Sequence, residues 1–285
     1  MTDWKPLLGS FGVWESSRAF DPATAVELER LGYTALWLGG SAGDLELVEQ
    51  VLDLTERLVV ATGIVSILTV QPRTLAESYE RVVEAHPGRL LLGVGVGHPE
   101  RAPEREWRPY AALTEFLDGL DAAGVPASER VLAALGPRVL RLSGERAAGA
   151  HPYLVTPAHT REARAILGTA PLLAPEQRVV LRSDRAEARS IGGPTVVTPY
   201  LGLRNYRESL GRLGYTEEDL ADGGSDRLLD DLIVSGDADA AVAGLRRHLD
   251  AGADHVAVHL IPGPGDDVLA GYAAIAAAAG LSRVE

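Results

Sequence analysis

The chain contains no cysteine. That excludes disulfides, thiolate nucleophiles, cysteine-ligated metals and iron–sulfur clusters, and with them a large share of redox chemistry. Lysine is almost as scarce: Lys5 is the only one, so Schiff-base or lysine-base catalysis has no candidate beyond an N-terminal position. No apolar run approaches the length of a membrane span, and the opening Met1-Thr2-Asp3-Trp4-Lys5 lacks the basic and apolar blocks of a signal peptide. The expectation is a cytoplasmic protein with no membrane partner. Positive charge is also short, with 27 Lys and Arg against 40 Asp and Glu and a formal net charge of -13. Such a chain has no basic face to neutralise phosphates, which argues against a nucleic-acid partner.

What is present is enough apolar material for one large core: 46% of 285 residues are hydrophobic. A single domain over residues 1–285 is the expectation, an α/β barrel fitting this length better than two ordinary domains. Apolar runs bounded by turn residues alternate with amphipathic stretches, the pattern of a parallel sheet with helical crossovers. Strands are expected at 7–14, 34–38, 58–65, 89–95, 131–134, 151–155, 178–181 and 254–260. Asp21-Pro22, Gly136-Pro137 and Thr156-Pro157 each read as a capping position followed by proline at the first helical residue. Between the seventh and eighth strands, about 184–233, the pattern is largely helical. The fold expected is therefore a (β/α)8 TIM barrel with a helical insertion between strands 7 and 8; an open doubly wound sheet is the alternative.

In such a barrel the working residues lie at the C-terminal ends of the strands. Gly93, Gly95 and Gly97 recur at period two, which strips the side chains from one face and admits either a flat ring or another backbone. They are not a dinucleotide fingerprint, because they lie in and after a strand and open no helix. Gly136-Pro137 begins a helix whose first N–H groups suit an anion such as a phosphate, with Arg138 and Arg141 nearby; an ordinary helix start has the same sequence. His98, after the glycine strand, is the foremost titrating candidate, and His159 the second. Either would serve equally well as a structural hydrogen-bonding residue. The remaining histidines show no metal-ligand spacing; His255 and His259 are four apart but in a strand, so no metal is expected. No serine sits in a nucleophile elbow, which disfavours a hydrolase.

The succession Gly32-Tyr33-Thr34-Ala35-Leu36-Trp37, Ala61-Thr62-Gly63-Ile64-Val65-Ser66-Ile67, Arg89 through Gly97 and Ala133-Ala134-Leu135-Gly136-Pro137-Arg138 resembles the luciferase-like monooxygenase superfamily. More narrowly it is similar to the coenzyme F420-dependent oxidoreductases of actinobacteria, in the right order over nearly the whole chain. The resemblance implies a deazaflavin in the barrel mouth, backed by a bulge with a non-prolyl cis peptide within Thr62, Gly63, Ile64 and Val65. Gly95 and Gly97 would flank the ring. It further implies that the backbone of Ala134, Leu135, Gly136 and Pro137 holds the cofactor's phosphate, and that Trp14 and the segment from Thr156 to His159 touch substrate. One departure stands out: relatives often carry an acidic residue and a histidine at the end of strand two, where this chain has Gly39-Gly40-Ser41. Either His98 then supplies the proton, or the hydride acceptor needs no such donor.

The activity implied is F420-dependent hydride transfer to or from a small organic substrate. The alternatives are an FMN-dependent monooxygenase, separated by dependence on oxygen, and a non-catalytic cofactor-binding relative. Relatives are often dimers, so a homodimer is the assembly the resemblance implies. Tyr200, Arg204, Asn205 and Tyr206 are available from the helical segment to line a substrate pocket, or else form ordinary helix surface.

Overall fold

The structure, a computed structural model, describes residues 2–97 and 108–283. A short helix, α1 (Trp4–Leu8), leads into β1 (Phe11–Ser16), α2 (Pro22–Arg30), β2 (Ala35–Gly39), α3 (Glu46–Leu54), β3 (Val59–Thr62) and the two-residue β4 (Val65–Ser66). Then follow α4 (Pro72–Ala85), β5 (Leu90–Gly95), α5 (Pro109–Ala122), β6 (Arg130–Leu132), α6 (Pro137–Arg146), β7 (Gly149–Ala150) and α7 (Pro157–Leu167). The last part holds β8 (Leu172–Leu173), β9 (Glu176–Val180), α8 (Arg185–Val197), α9 (Arg204–Arg212), α10 (Glu217–Leu220) and α11 (Asp226–Leu232). It ends with β10 (Ile233–Ser235), α12 (Ala238–Asp250), β11 (Val256–Leu260) and α13 (Val268–Ala279).

Five of these helices, α2, α4, α5, α6 and α7, begin with proline in the first turn. Proline's fixed φ suits that position and its missing N–H has no helical partner to lose. Asp21 and Thr156 add side-chain caps, accepting from the N–H of Ala23 and of His159. The strands follow a period of two. In β2, Leu36 and Leu38 face the outer helices while Ala35 and Trp37 face inward, and in β5 Leu90, Leu92 and Val94 face outward while Leu91 faces inward. Both faces are buried, as a parallel sheet between two apolar layers requires.

All strand pairs are parallel, in the order β10-β9-β11-β1-β2-β3-β5-β6-β7-β8. The sheet has TIM-barrel-like curvature. At one end, β8 passes through Ala174-Pro175 straight into β9 near the other end, and the Glu176 N–H donates to the Pro152 carbonyl at 2.9 Å while β9 pairs with β11. The short β10 adds to β9 from outside this ring.

Three differences from the sequence expectation concern the first, sixth and seventh strands; the sixth, expected at 151–155, is the two-residue β7 (Gly149–Ala150) that ends just before it. Residues 4–8 are helical, Asp3 capping α1, so β1 begins four residues later than the expected start. Trp4 and Leu8 of that helix are buried with the inward residues Ala35, Trp37, Val59 and Leu91, and close the base of the sheet. The seventh strand begins at Leu172 rather than 178, with a break at Ala174-Pro175. Helices α8 to α11 lie between β9 and β10 and enclose a second apolar cluster, which joins Val180 and Ile261 to Leu201, Tyr206, Leu210 and Leu228. That cluster lies beside the C-terminal ends of β9 and β11.

Candidate active site at the barrel mouth

Inward-facing residues of β1, β2, β9, β11 and the segment after β7 build the candidate site. Below it, Trp37 is fully buried and stacks on His151 with ring centroids 4.0 Å apart and 14° between planes. Its indole N–H donates to His255 Nε2 at 3.0 Å, and His255 Nδ1 is 2.8 Å from the Gly9 carbonyl. That fixes His255 as a neutral tautomer, Nδ1 donating and Nε2 accepting. Burial pushes its pKa down to about 4.

One layer higher, the Trp14 indole lies across the mouth. It is 4.1 Å from the His259 ring and 5.1 Å from the Tyr153 ring, centroid to centroid. Glycine is needed opposite it: a Cβ on Gly39 would stand 2.0 Å from the indole. On Gly63 it would stand 3.0 Å from Trp14 Nε1 and 3.3 Å from His151 Nε2. Both of those nitrogens are buried and have no hydrogen-bond partner among the described residues. His151 Nδ1 bonds the Ala174 carbonyl at 2.6 Å, which leaves Nε2 as an unmet acceptor beside an unmet indole donor.

Beside Trp14 stands a buried charged group. The Glu176 carboxylate receives the Leu154 N–H at 2.9 Å and His259 Nδ1 at 2.8 Å, with Arg178 Nε at 3.8 Å. Burial pushes the Glu176 carboxyl up, but Arg178, His259 and the Leu154 N–H outweigh it and hold it below the usual carboxylate range. With an ionised acceptor on Nδ1, His259 keeps Nε2 as its free, basic nitrogen. Burial lowers its pKa, and Glu176 opposes that fall without reversing it. The His259 side chain remains 15% exposed, in contrast to the sealed Glu176. Arg178 donates from Nη2 to the Tyr153 hydroxyl at 3.0 Å, and its Cζ lies 5.1 Å and 5.2 Å from the Tyr153 and Tyr200 ring centres. Tyr206 packs edge-on against Tyr200 at 4.9 Å.

The sequence-derived candidates fall into three groups. Trp14, Gly63 and Ile64 come together at the mouth, and the peptide joining Gly63 to Ile64 is cis. Val65 is fully buried in β4, and Thr62 uses its hydroxyl inside the sheet, donating to the Gly93 carbonyl at 2.8 Å and accepting the Gly93 N–H at 2.7 Å. Behind them, Gly93 is held against the Thr62 carbonyl, where a Cβ would approach to 1.9 Å, and Gly95 faces Ala133 and Ile64. Of the two uses open to this glycine face, close backbone approach is what occurs at Gly93. Gly97 has φ +74° and abuts Ser66.

A second group surrounds the start of α6. Gly136 is its N-cap, and nothing stands within 4 Å of where its Cβ would be. Ala134 is buried, Leu135 half-buried, and the Leu135 carbonyl receives His159 Nε2 at 2.9 Å and an Arg212 N–H at 3.2 Å. Pro137 opens the helix, and Arg138 lies over the Tyr110 ring. His159 and Thr156 are thus tied to backbone: Thr156 caps α7, and His159, itself buried, braces the loop before α6. The third group is His98, which lies outside the described residues.

Tyr200 and Tyr206 reach the mouth, whereas Arg204 is exposed and paired with Glu208 on the surface of α9, and Asn205 is exposed. Glu176, Arg178 and His259 were not singled out from sequence as site residues. Two signals bear on them: opposite charges at 176 and 178, two apart before an apolar run, and a histidine at the end of the last strand.

Residues 19–124 match the family described as luciferase-like monooxygenase. No curated protein matches the chain. Among solved structures, the chain is similar to an F420-dependent secondary alcohol dehydrogenase in complex with an F420-acetone adduct, at 14% identity and a TM-score of 0.71, covering 95% of this chain and 98% of that one. A coenzyme F420-dependent tetrahydromethanopterin reductase from Methanopyrus kandleri is 17% identical with a TM-score of 0.68, covering 94% and 97%. The oxygenating constituent of 3,6-diketocamphane monooxygenase from the CAM plasmid of Pseudomonas putida, in complex with FMN, is 14% identical with a TM-score of 0.69, covering 94% and 96%. At these identities the likeness is one of fold. The chain thus carries, over residues 19–124, a match to the luciferase-like monooxygenase family, and its fold is similar to those of F420-dependent enzymes and a flavin monooxygenase.

Proposed function

We propose that residues 1–285 form one luciferase-like (β/α)8 unit, with α8 to α11 inserted before the last strand, that transfers hydride between coenzyme F420 and a small organic substrate. The observation that carries this reading is the pairing of His259 with the buried Glu176 at the mouth, the second imidazole nitrogen left basic beside Trp14. Such a pair takes up or returns the proton that must move whenever hydride leaves or joins an oxygen-bearing carbon. It stands where the absent strand-two histidine leaves a need.

The residues present fit a flavin-like group. Trp14 Nε1 and His151 Nε2 are buried beside Gly63 without partners among the described residues, Gly136 is open to solvent-side approach, and the backbone of Ala134, Leu135, Gly136 and Pro137 with the α6 N-terminus suits the phosphate. Gly63 and Ile64, both half-buried, would back the ring, with Thr62 and Val65 holding the bulge and Gly95 and Gly97 flanking it. When bound, the deazaflavin supplies the hydride-carrying carbon. His159 and Thr156 position the phosphate loop through Leu135 and α7. Trp14 and the tyrosines exclude water and confine the substrate. FMN with oxygen insertion is the second reading, favoured by the equally close fold likeness to the FMN complex.

An anaerobic fluorescence titration with oxidised F420 and, separately, FMN tests both. The expected result is micromolar F420 binding, weakened at least about tenfold in Gly136→Asp, because a carboxylate in the cradle repels phosphate. FMN binding alone would turn the assignment to the monooxygenase, and binding of neither would overturn both.

A further inference from the structure

We propose that Arg178 is the anion-binding residue of the substrate site, selecting small planar substrates that carry a carboxylate. This rests on the barrel mouth being the place where substrate binds. Arg178 is 2% exposed, yet its Nε and Nη1 have no hydrogen-bond partner among the described residues. Buried donors left unmet are costly, and those of a guanidinium more than most. Glu176 balances the charge without filling the donors. Its oxygens are engaged by the Leu154 N–H and His259 Nδ1, and its approach to Arg178 Nε is 3.8 Å, beyond a hydrogen bond. Among the described residues the guanidinium donates one hydrogen bond, from Nη2 to the Tyr153 hydroxyl.

A carboxylate bridging Nη1 and Nη2 supplies the acceptor that Nη1 lacks and adds a second charge-assisted bond at Nη2, while Nε keeps the 3.8 Å approach of Glu176. The walls specify the rest of the ligand. Tyr153 and Tyr200 face the guanidinium, Tyr206 packs behind Tyr200, and Trp14 is 5.1 Å from Tyr153. Flat apolar surface of this kind suits an aromatic or conjugated body. Tyr200 is half-buried on the short turn Tyr200–Gly202 and holds its ring at the guanidinium, on the side of the tyrosine walls. Arg178 and His259 are register partners on β9 and β11, which puts the anion subsite next to the proton-handling nitrogen.

The test is calorimetric titration of the cofactor-free protein with benzoate and with its neutral isostere benzamide. The wild type should bind benzoate at least tenfold more tightly than benzamide. Arg178→Met should abolish that preference, and Arg178→Lys, which keeps the charge but not the planar fork, should reduce it at least threefold, with thermal melts showing that each variant is folded. If the methionine variant does not fold, the lysine variant decides. Equal binding of the two probes by the wild type, or a preference unchanged in the variants, overturns the proposal. Because no cofactor is present, an Arg178-dependent preference stands even if F420 and FMN both fail to bind.

Discussion

His255, immediately before β11, and His259, within it, face the same interior four residues apart, yet their surroundings differ in kind. His255 has both ring nitrogens engaged, one by a backbone carbonyl and one by the Trp37 indole, and is sealed from solvent. His259 has one nitrogen engaged by a carboxylate and is partly exposed. His248, in the layer between barrel and helices, repeats the first pattern with Thr160 and Gln177 at 2.7 Å on either side. A histidine whose two nitrogens are both satisfied by the fold is part of the scaffold. One with a carboxylate on Nδ1 and the other nitrogen toward the mouth is equipped for proton transfer.

Acid is the strongest way to break this comparison. Burial lowers the pKa of His151, His248 and His255 to about 4 from 6.5. In the unfolded chain each returns to its ordinary value, so between those limits the unfolded state binds more protons. Stability is therefore full above about pH 6.5 and is lost as the pH falls through about 4, by about 3 kcal/mol per histidine. Urea unfolding at a series of pH values between 7.5 and 4.5 should show the decline, and imidazole NMR should find these three rings neutral at pH 5.5. A flat profile across that window would sink the scaffold assignment of His248 and His255.

Removing Trp37 comes next. It is fully buried and supports both His151 and His255, so Trp37→Ala should cost about 3–5 kcal/mol in chemical denaturation. Trp14→Ala, at the mouth, should cost clearly less and instead change substrate affinity. If Trp14 proves the more costly, the mouth is scaffold and the contrast fails. A smaller effect is expected at the bulge: Thr62→Val strips both bonds to Gly93 and should cost about 1–3 kcal/mol. Ser66→Ala, whose hydroxyl bonds the Val96 carbonyl at 3.2 Å nearer the surface, should cost less than about 1 kcal/mol in the same assay.

Much of the scaffold is legible in the sequence because its signals are local. Proline at the first helical position marks helix starts, after a side-chain cap at Asp21 and Thr156 and after glycine at Gly136, and period-two apolar runs mark β2 and β5. Leu7 and Leu8 mislead because they run into the apolar strand that follows; the helix they close depends on the base of the barrel, where the Trp4 indole N–H reaches the Ser128 carbonyl. At the site the limits are physical. Glu176 and Arg178 read as a strand boundary, since isolated charges belong at the surface, and only their mutual proximity and that of His259 make burial tolerable. His159 reads as a substrate contact because the partner that occupies it, the Leu135 carbonyl, is 24 residues away. The distinction between His255 and His259 is set by partners 246 and 83 residues distant, which no local pattern contains.

His259→Gln should have the smallest effect on stability and the most specific effect on function. The substitution gives up one hydrogen bond to Glu176, which keeps the Leu154 N–H and the nearby guanidinium, so the loss should be about 1 kcal/mol or less. F420 affinity should be unchanged, because the cradle at Gly136 and the bulge at Gly63 do not involve this side chain. Turnover with F420 should fall by about 10²–10⁴ at saturating substrate, the range expected for removal of a general acid or base. The wild-type rate should also lose its imidazole titration in the variant. Since burial sets the His259 pKa below its ordinary value, that titration lies on the acid side of 6.5, and activity in the direction needing a base should be full at neutral pH and fall on acidification. A variant that keeps wild-type turnover and pH profile would move His259 into the same class as His255, and the proton would have to be handled by another group.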